Sequence, residues 1–247
     1  MKRIVIIGAS SGLGYRIAAD FAKMGWQVGV AARREAPLAE LHQAFPQNIV
    51  YTTIDVTKPD AGERLNLLIE KNGGMDTLLL SSGIGKQNHD LNETIEVDTA
   101  MTNVVGFMRI IDSAYNYFRN TNKRGHIAFI SSVAGTMGLG VAASYSATKR
   151  FQYIYADALE QLARMQGVDV KFTDIRPGFI STPLLDGAQN YPMTMTVDHA
   201  APLIERAILK QKRRAVIDLR WSLIVALWKL IPRPLWKHLP IKTNATK

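Results

Sequence analysis

Residues 3–14, RIVIIGASSGLG, carry an apolar β-branched run straight into a glycine-rich turn, and the residues after it follow a helical pattern from 13 to 24. Gly8, Gly12 and Gly14 let the backbone turn sharply and leave room for a pyrophosphate. The turn also exposes N–H groups at the positive end of a helix dipole. The competing reading is a plain strand-to-helix turn, but three glycines directly after the first strand favour a nucleotide cradle. Their spacing is GxxxGxG rather than the commoner GxGxxG.

Outward from this stretch, short apolar segments alternate with longer amphipathic ones. Strands are expected at 3–8, 27–32, 48–54, 76–82, 126–132, 168–175 and 214–218, and helices at 13–24, 35–44, 60–72, 91–118 and 145–166. Continuous apolar strands separated by helices predict an α/β fold, a doubly wound, mostly parallel sheet of about seven strands with helices on both faces. No repeat, low-complexity tract or linker divides the chain. Residues 1–218 are therefore expected to form one dinucleotide-binding domain, with 219–247 a tail rather than a second domain.

The 247 residues are 47% hydrophobic and 21% charged, as in a soluble globular protein, and the apolar run of MKRIVIIGAS is too short for a signal peptide or membrane span. A cytoplasmic location is expected. The chain has no cysteine, which excludes disulfides, thiolate metal sites and cysteine nucleophiles. Five scattered histidines never reach metal-ligand spacing, so no metal is expected. The net charge of +9 is local: from Lys210 to Lys247 ten basic residues face one acidic residue. A nucleic-acid groove draws charge from across a domain, and no recognition motif is present, so no nucleic-acid partner is expected.

In SYSATKRF, residues 144–151, Tyr145 and Lys149 stand one helical turn apart. Neighbours at i and i+4 share a helix face, so phenol and ammonium reach one small volume. A cation there favours the phenolate and lowers the phenol pKa, and such a tyrosine trades a proton with a substrate oxygen near neutral pH. The alternative is an ordinary solvated pair.

Four motifs in order, GASSGLG (8–14), ISS (130–132), YSATK (145–149) and RPGFIST (176–182), resemble the short-chain dehydrogenase/reductase family over roughly residues 1–183. The resemblance implies a Rossmann-type fold and a catalytic tetrad. Ser132, thirteen residues before Tyr145, matches the family's catalytic serine, and NVVG makes Asn103 the match for its helical asparagine. Tyr145 would be the general acid in carbonyl reduction and the base in the reverse direction. Ser132 would hold the reacting oxygen, Lys149 would depress the tyrosine pKa and bind the nicotinamide ribose, and Asn103 would anchor a water linking Lys149 to solvent.

The resemblance also implies a cofactor site. Gly8, Ser10, Ser11, Gly12, Leu13 and Gly14 form its loop, Asp55 and Val56 match the adenine contact, and Gly83 follows the fourth strand. Pro177 and Gly178 turn the chain beside the nicotinamide, with Ile180 and Thr182 meeting its carboxamide. At the end of the second strand, AARRE places Ala32 where NAD-dependent relatives carry Asp. Arg33 and Arg34 suit a 2′-phosphate, with Ser10 adding a hydroxyl, so NADP(H) is favoured over NAD(H). One departure is LSSG, residues 80–83, where relatives carry Asn-Asn-Ala-Gly; serine reaches less far than the asparagine that tethers neighbouring strands.

The expected activity is NADP(H)-dependent interconversion of a carbonyl and an alcohol. The alternative is a catalytically silent nucleotide-binding regulator of the same fold. The apolar residues Leu184, Tyr191, Met193 and Met195 of the loop 184–197 either pack that loop down or line the substrate pocket, and in the second case select a small molecule with substantial apolar surface. A homodimer or homotetramer is expected. Residues 221–231 read as a short apolar helix, either packed on the sheet edge or a dimer partner, or a peripheral anchor on an anionic membrane. In the second reading Trp221, Trp228 and Trp236 sit at the interface, and Arg220, Lys229, Arg233 and Lys237 meet the headgroups.

Overall fold

The alternation seen in the sequence resolves into one sheet. The computed structural model describes residues 1–185 and 191–241. Its strands are β1 (Arg3–Ile7), β2 (Gln27–Ala32), β3 (Ile49–Thr53), β4 (Thr77–Leu80), β5 (Gly125–Ile130), β6 (Val170–Arg176) and β7 (Arg214–Val216), all parallel, in the order β3-β2-β1-β4-β5-β6-β7. This is the doubly wound Rossmann-type arrangement expected from the sequence. Ile7 pairs with Ala31 on one side and Leu80 on the other, which brings the C-terminal ends of β1, β2 and β4 level. The strand order reverses between β1 and β4, so a crevice opens beyond those ends.

Strand residues pack alternately into two cores, because successive side chains point to opposite faces. Ile4, Ile6, Val28 and Val30 face α1 (Gly12–Lys23), while Val5, Ile7 and Leu78 face α3 (Ala61–Lys71) and α5 (Phe107–Thr121). Burying each such side chain stabilises the fold by about 1.5–3 kcal/mol relative to exposure. The first core also takes in α2 (Ala36–Ala44) through Leu38 and Leu41.

Two helical features differ from the expectation. The helix read as 91–118 is α4 (Glu93–Ala100), a π-helical stretch over Met101–Gly106, and then α5. The wider π turn contains Asn103 and breaks the 3.6-residue period inside a run that still looks helical in sequence. Second, no helix was anticipated between 167 and 213, yet α7 runs over Val197–Leu209 after α6 (Ala143–Gln166). Pro202 lies inside α7 and reads as a helix breaker. Burial of Ala200, Ala201, Ile204 and Ile208 outweighs that local cost, and Thr196 caps the start by accepting a hydrogen bond from the His199 N–H at 3.2 Å.

The tail forms α8 (Leu219–Leu230) and a short α9 (Arg233–Trp236). Among the described residues no helix is long and apolar enough to cross a membrane.

Candidate active site

The glycine turn is shaped by close approaches. Gly8 has φ +94°, and a Cβ there would sit 2.5 Å from the Ser82 nitrogen; a Cβ on Gly14 would sit 2.3 Å from the Gly8 carbonyl oxygen. Only glycine fits either position. The same approach answers the LSSG departure: the Ser81 and Ser82 N–H groups both donate to the Ile7 carbonyl, at 2.8 and 3.1 Å, so the main chain ties β4 to β1. Ser11 precedes α1 without any side-chain capping bond, leaving the first-turn N–H groups at the edge of a cavity of about 1030 Å3. A dinucleotide pyrophosphate fits that cradle.

At one end of the cavity stand Ala32, Arg33 and Arg34. The Arg34 guanidinium donates to both the carbonyl and the hydroxyl of Ser10, each at 3.1 Å, which pins it over the glycine loop. Burial works against the charge of Asp55, but hydrogen bonds from Thr57 and the nearby Arg33 and Lys58 outweigh it and hold the carboxyl below its usual range. Val56 packs under Gly106, where a Cβ would come within 2.7 Å of its side chain.

Ser132, Tyr145 and Lys149 line the same cavity, with Gly83. Of the adjacent serines after β5, both of which line the cavity, Ser131 bonds Asp174 and the Ile175 carbonyl, while the Ser132 hydroxyl accepts from the Ala134 N–H at 3.1 Å and donates to the Pro177 carbonyl at 3.4 Å. The Tyr145 ring lies against Gly85, where a Cβ would be 2.2 Å from a ring carbon. Lys149 differs from the expectation. Its Nζ stands 5.7 Å from the centre of the Tyr145 ring but donates to the Ile130 carbonyl at 3.0 Å and to the Gln152 Oε1 at 3.4 Å. Burial therefore dominates at the tyrosine and pushes its pKa up, with a hydrogen bond involving Ser132 opposing. Burial also brings the Lys149 ammonium down to about 8, with Asp174 opposing.

Asn103 is fully buried in the π turn. Its side chain accepts from the Ile84 N–H at 2.9 Å and donates to the Ile84 carbonyl at 2.7 Å, fastening the segment after β4. Its own carbonyl accepts from the Gln152 Nε2 at 3.0 Å. Gln152, absent from the expected site residues, thus bridges Asn103 and Lys149 directly. The signal was present in principle, since Gln152 lies one turn beyond Lys149 on the same helix face.

The segment after β6 closes the cavity. The Pro177 carbonyl accepts from the Val133 N–H at 3.0 Å, and Gly178 lies beneath the Trp221 ring, where a Cβ would come within 2.1 Å. Ile180 pairs with Met195 through the N–H of Ser181 and the carbonyl of Phe179, which leaves the Ile180 N–H and carbonyl on the other side of the chain. The Thr182 methyl meets Gly12, where a Cβ would lie 3.1 Å from it. Leu184 and Tyr191 line the cavity as expected, with Tyr191 stacked on Phe179 at 4.5 Å. Met195 does not: it is buried in the core, and Met193 packs against the same core. Residues 186–190 of the loop lie outside the described residues.

Trp221 and Trp228 of α8 line the same cavity, and the Trp236 Nε1–H donates to the Gly138 carbonyl at 2.7 Å. Trp221 and Trp236 are buried. The expectation that these rings face a membrane is therefore corrected: their apolar area is spent on the protein. A tail residue forming a pocket wall has no local sequence signature, because only the tertiary fold returns it to β6.

Comparison with known proteins agrees with this geometry. The short chain dehydrogenase family model matches residues 2–191. An uncharacterized oxidoreductase of Myxococcus xanthus (strain DK1622) is 32% identical over 245 residues, covering 95% of this chain and 94% of the relative. A farnesol dehydrogenase of Aedes aegypti is 31% identical over 194 residues, covering 74% of this chain and 79% of the relative. The crystal structure of a short chain dehydrogenase/reductase from Burkholderia phymatum in complex with NAD superposes with a TM-score of 0.82 at 19% identity, covering 92% of each chain. With the glycine cradle, the sheet order and a match over more than half its length, the chain belongs to the short-chain dehydrogenase family.

Proposed function

We propose that the chain is an NADP(H)-dependent oxidoreductase interconverting a carbonyl and an alcohol on a small molecule with substantial apolar surface. The observation that carries this reading is that Ser132, Tyr145 and Lys149 line the same cavity as Gly8, Ser10, Ser11, Gly12 and Leu13 of the glycine cradle. A bound nicotinamide dinucleotide supplies or accepts the hydride. The protein's part is to hold the substrate oxygen and move its proton. Ser132 donates a hydrogen bond to that oxygen and fixes its distance, and Tyr145 delivers the proton as charge develops there. The raised tyrosine pKa keeps the phenol protonated at neutral pH, as reduction requires. Below about pH 8 Lys149 carries a positive charge 5.7 Å from the centre of the Tyr145 ring.

Arg33, Arg34 and Ser10 support NADP(H): two guanidiniums directly follow Ala32, the position where an acidic residue would repel a 2′-phosphate. The fold likeness does not decide this, since the structure from Burkholderia phymatum is a complex with NAD. Leu139, Val141, Leu184, Tyr191 and Trp228 line the substrate end and support an apolar ligand. The relative described as a farnesol dehydrogenase agrees with that chemistry. Assembly as a homodimer or homotetramer belongs to the same reading, on the family resemblance.

The test is Tyr145→Phe assayed with NADPH and a panel of apolar aldehydes and ketones. Turnover is expected to fall about a hundredfold or more while NADPH binding is kept, because only the transferable proton is removed. Turnover near that of the native protein would refute the reading.

A further inference from the structure

Helix α8 has two opposite apolar faces. At about 100° per residue, Trp221 and Val225 lie about 180° from a second row formed by Leu219, Leu223, Leu227 and Leu230, which together span about 80° of the helix. The first pair is buried; the four leucines are 87%, 64%, 53% and 78% exposed. Leu235 in α9 and Leu239 after it are exposed as well. One apolar face is accounted for by the cavity wall and the core. The other is left exposed among the described residues.

The charges carried by the same tail segment limit what covers it. Lys229, Arg233 and Lys237 are exposed, and among the described residues no carboxylate pairs with any of them. Arg220 is different, since it pairs with Asp218 at 2.6 Å and is largely neutralised. A second copy of the chain on this face would bring like charges together at an interface whose core normally lacks charge. An anionic lipid surface instead offers hydrocarbon to the leucines and phosphate to the cations.

We propose that the outer face of α8 and α9 docks peripherally on an anionic phospholipid bilayer. The inner side of the same helix lines the active-site cavity through Trp221 and Trp228. Docking therefore leaves one helix thickness, about 10 Å, between that cavity and the lipid phase, a short route for an apolar carbonyl or alcohol. The route rests on the oxidoreductase reading; the docking does not, and its test involves no turnover.

The full chain is sedimented with phosphatidylcholine vesicles with and without phosphatidylglycerol, at low and high salt. The native protein is expected to sediment with the anionic vesicles at low salt only. The double variant Leu223→Glu/Leu227→Glu is expected to lose about tenfold or more in partitioning, since two apolar contacts become two like charges. Lys229→Glu/Arg233→Glu is expected to abolish the salt dependence. Leu67→Glu, at a leucine 56% exposed on α3, is the control and is expected to bind as the native protein does. Circular dichroism and NADPH binding report whether each variant folds. The proposal is overturned if the native chain binds no anionic vesicle, or if the leucine variant partitions equally. It is also overturned if that variant breaks an oligomer in sedimentation velocity while vesicle binding is unchanged, which would assign the face to a second copy of the chain.

Discussion

Replacing Gln152 by leucine isolates the bridge between Asn103 and Lys149. Gln152 is 1% exposed, donates to the Asn103 carbonyl at 3.0 Å and accepts from the Lys149 ammonium at 3.4 Å. Leucine nearly conserves volume but leaves the carbonyl without that donor and the ammonium with one acceptor fewer. A buried polar group left unpaired costs about 1–3 kcal/mol. The bond to Lys149 is long, so its share belongs at the lower end, about 1 kcal/mol, which corresponds to somewhat less than one pH unit. Lys149 is already brought down to about 8, so its deprotonation in Gln152→Leu moves toward pH 7. Loss of an acceptor destabilises the charged form, and the charged form is the one lost as pH rises. The pH dependence of kcat for carbonyl reduction is the assay. Its alkaline limb is expected to move toward acid by about half to one pH unit, with little change in the KM for NADPH. Gln152→Glu should move the limb the other way, because a carboxylate stabilises the ammonium. If both variants lose activity with the limb unmoved, Gln152 only packs, and the reasoning fails.

Arg33→Ala is expected to weaken NADPH binding about tenfold or more while leaving NADH nearly unchanged, because a charge-assisted hydrogen bond is worth about 1.5–3 kcal/mol; titration with both cofactors checks it, and equal losses would assign Arg33 to loop support. Arg34→Ala should weaken both cofactors, since Arg34 also holds Ser10 in the loop. Glu205 on α7 is buried, and burial with the adjacent Asp20 pushes it up to about 7, with Arg16 and Lys23 opposing. Its folded pKa lies above the unfolded value, so the fold binds this proton more tightly and loses stability as pH rises from about 4.5 through about 7. Glu205→Gln should flatten that slope and be the more stable protein at pH 8, by on the order of 1–3 kcal/mol. Urea melts at pH 5.5 and 8 measure it; a difference independent of pH would refute the linkage.

The strand pattern was legible because apolar β-branched runs buried on both faces carry their signal locally. All seven strands lie within two residues of the ranges read from sequence. The glycine loop was legible for the same reason, since its backbone demand is met by residue type alone. The meeting of Tyr145, Ser132 and the loop on one cavity was implied by the family resemblance of the motifs, and the parallel sheet with level strand ends brings them to it. Other features depended on the tertiary fold. Whether Lys149 acts on the phenol or on neighbouring carbonyls is set by distances of an ångström or two inside the packed site, and burial, a property of the whole fold, decides the direction of both pKa shifts. Helix α7 persists through Pro202 because α1 and the sheet bury its apolar face, a gain that no local propensity contains. The tail composition announced an apolar helix with basic flanks, but which tryptophans it hides and which leucines it leaves exposed depends on where the chain returns over Gly178. A helix has one sequence and many faces; only the surface it packs against selects among them.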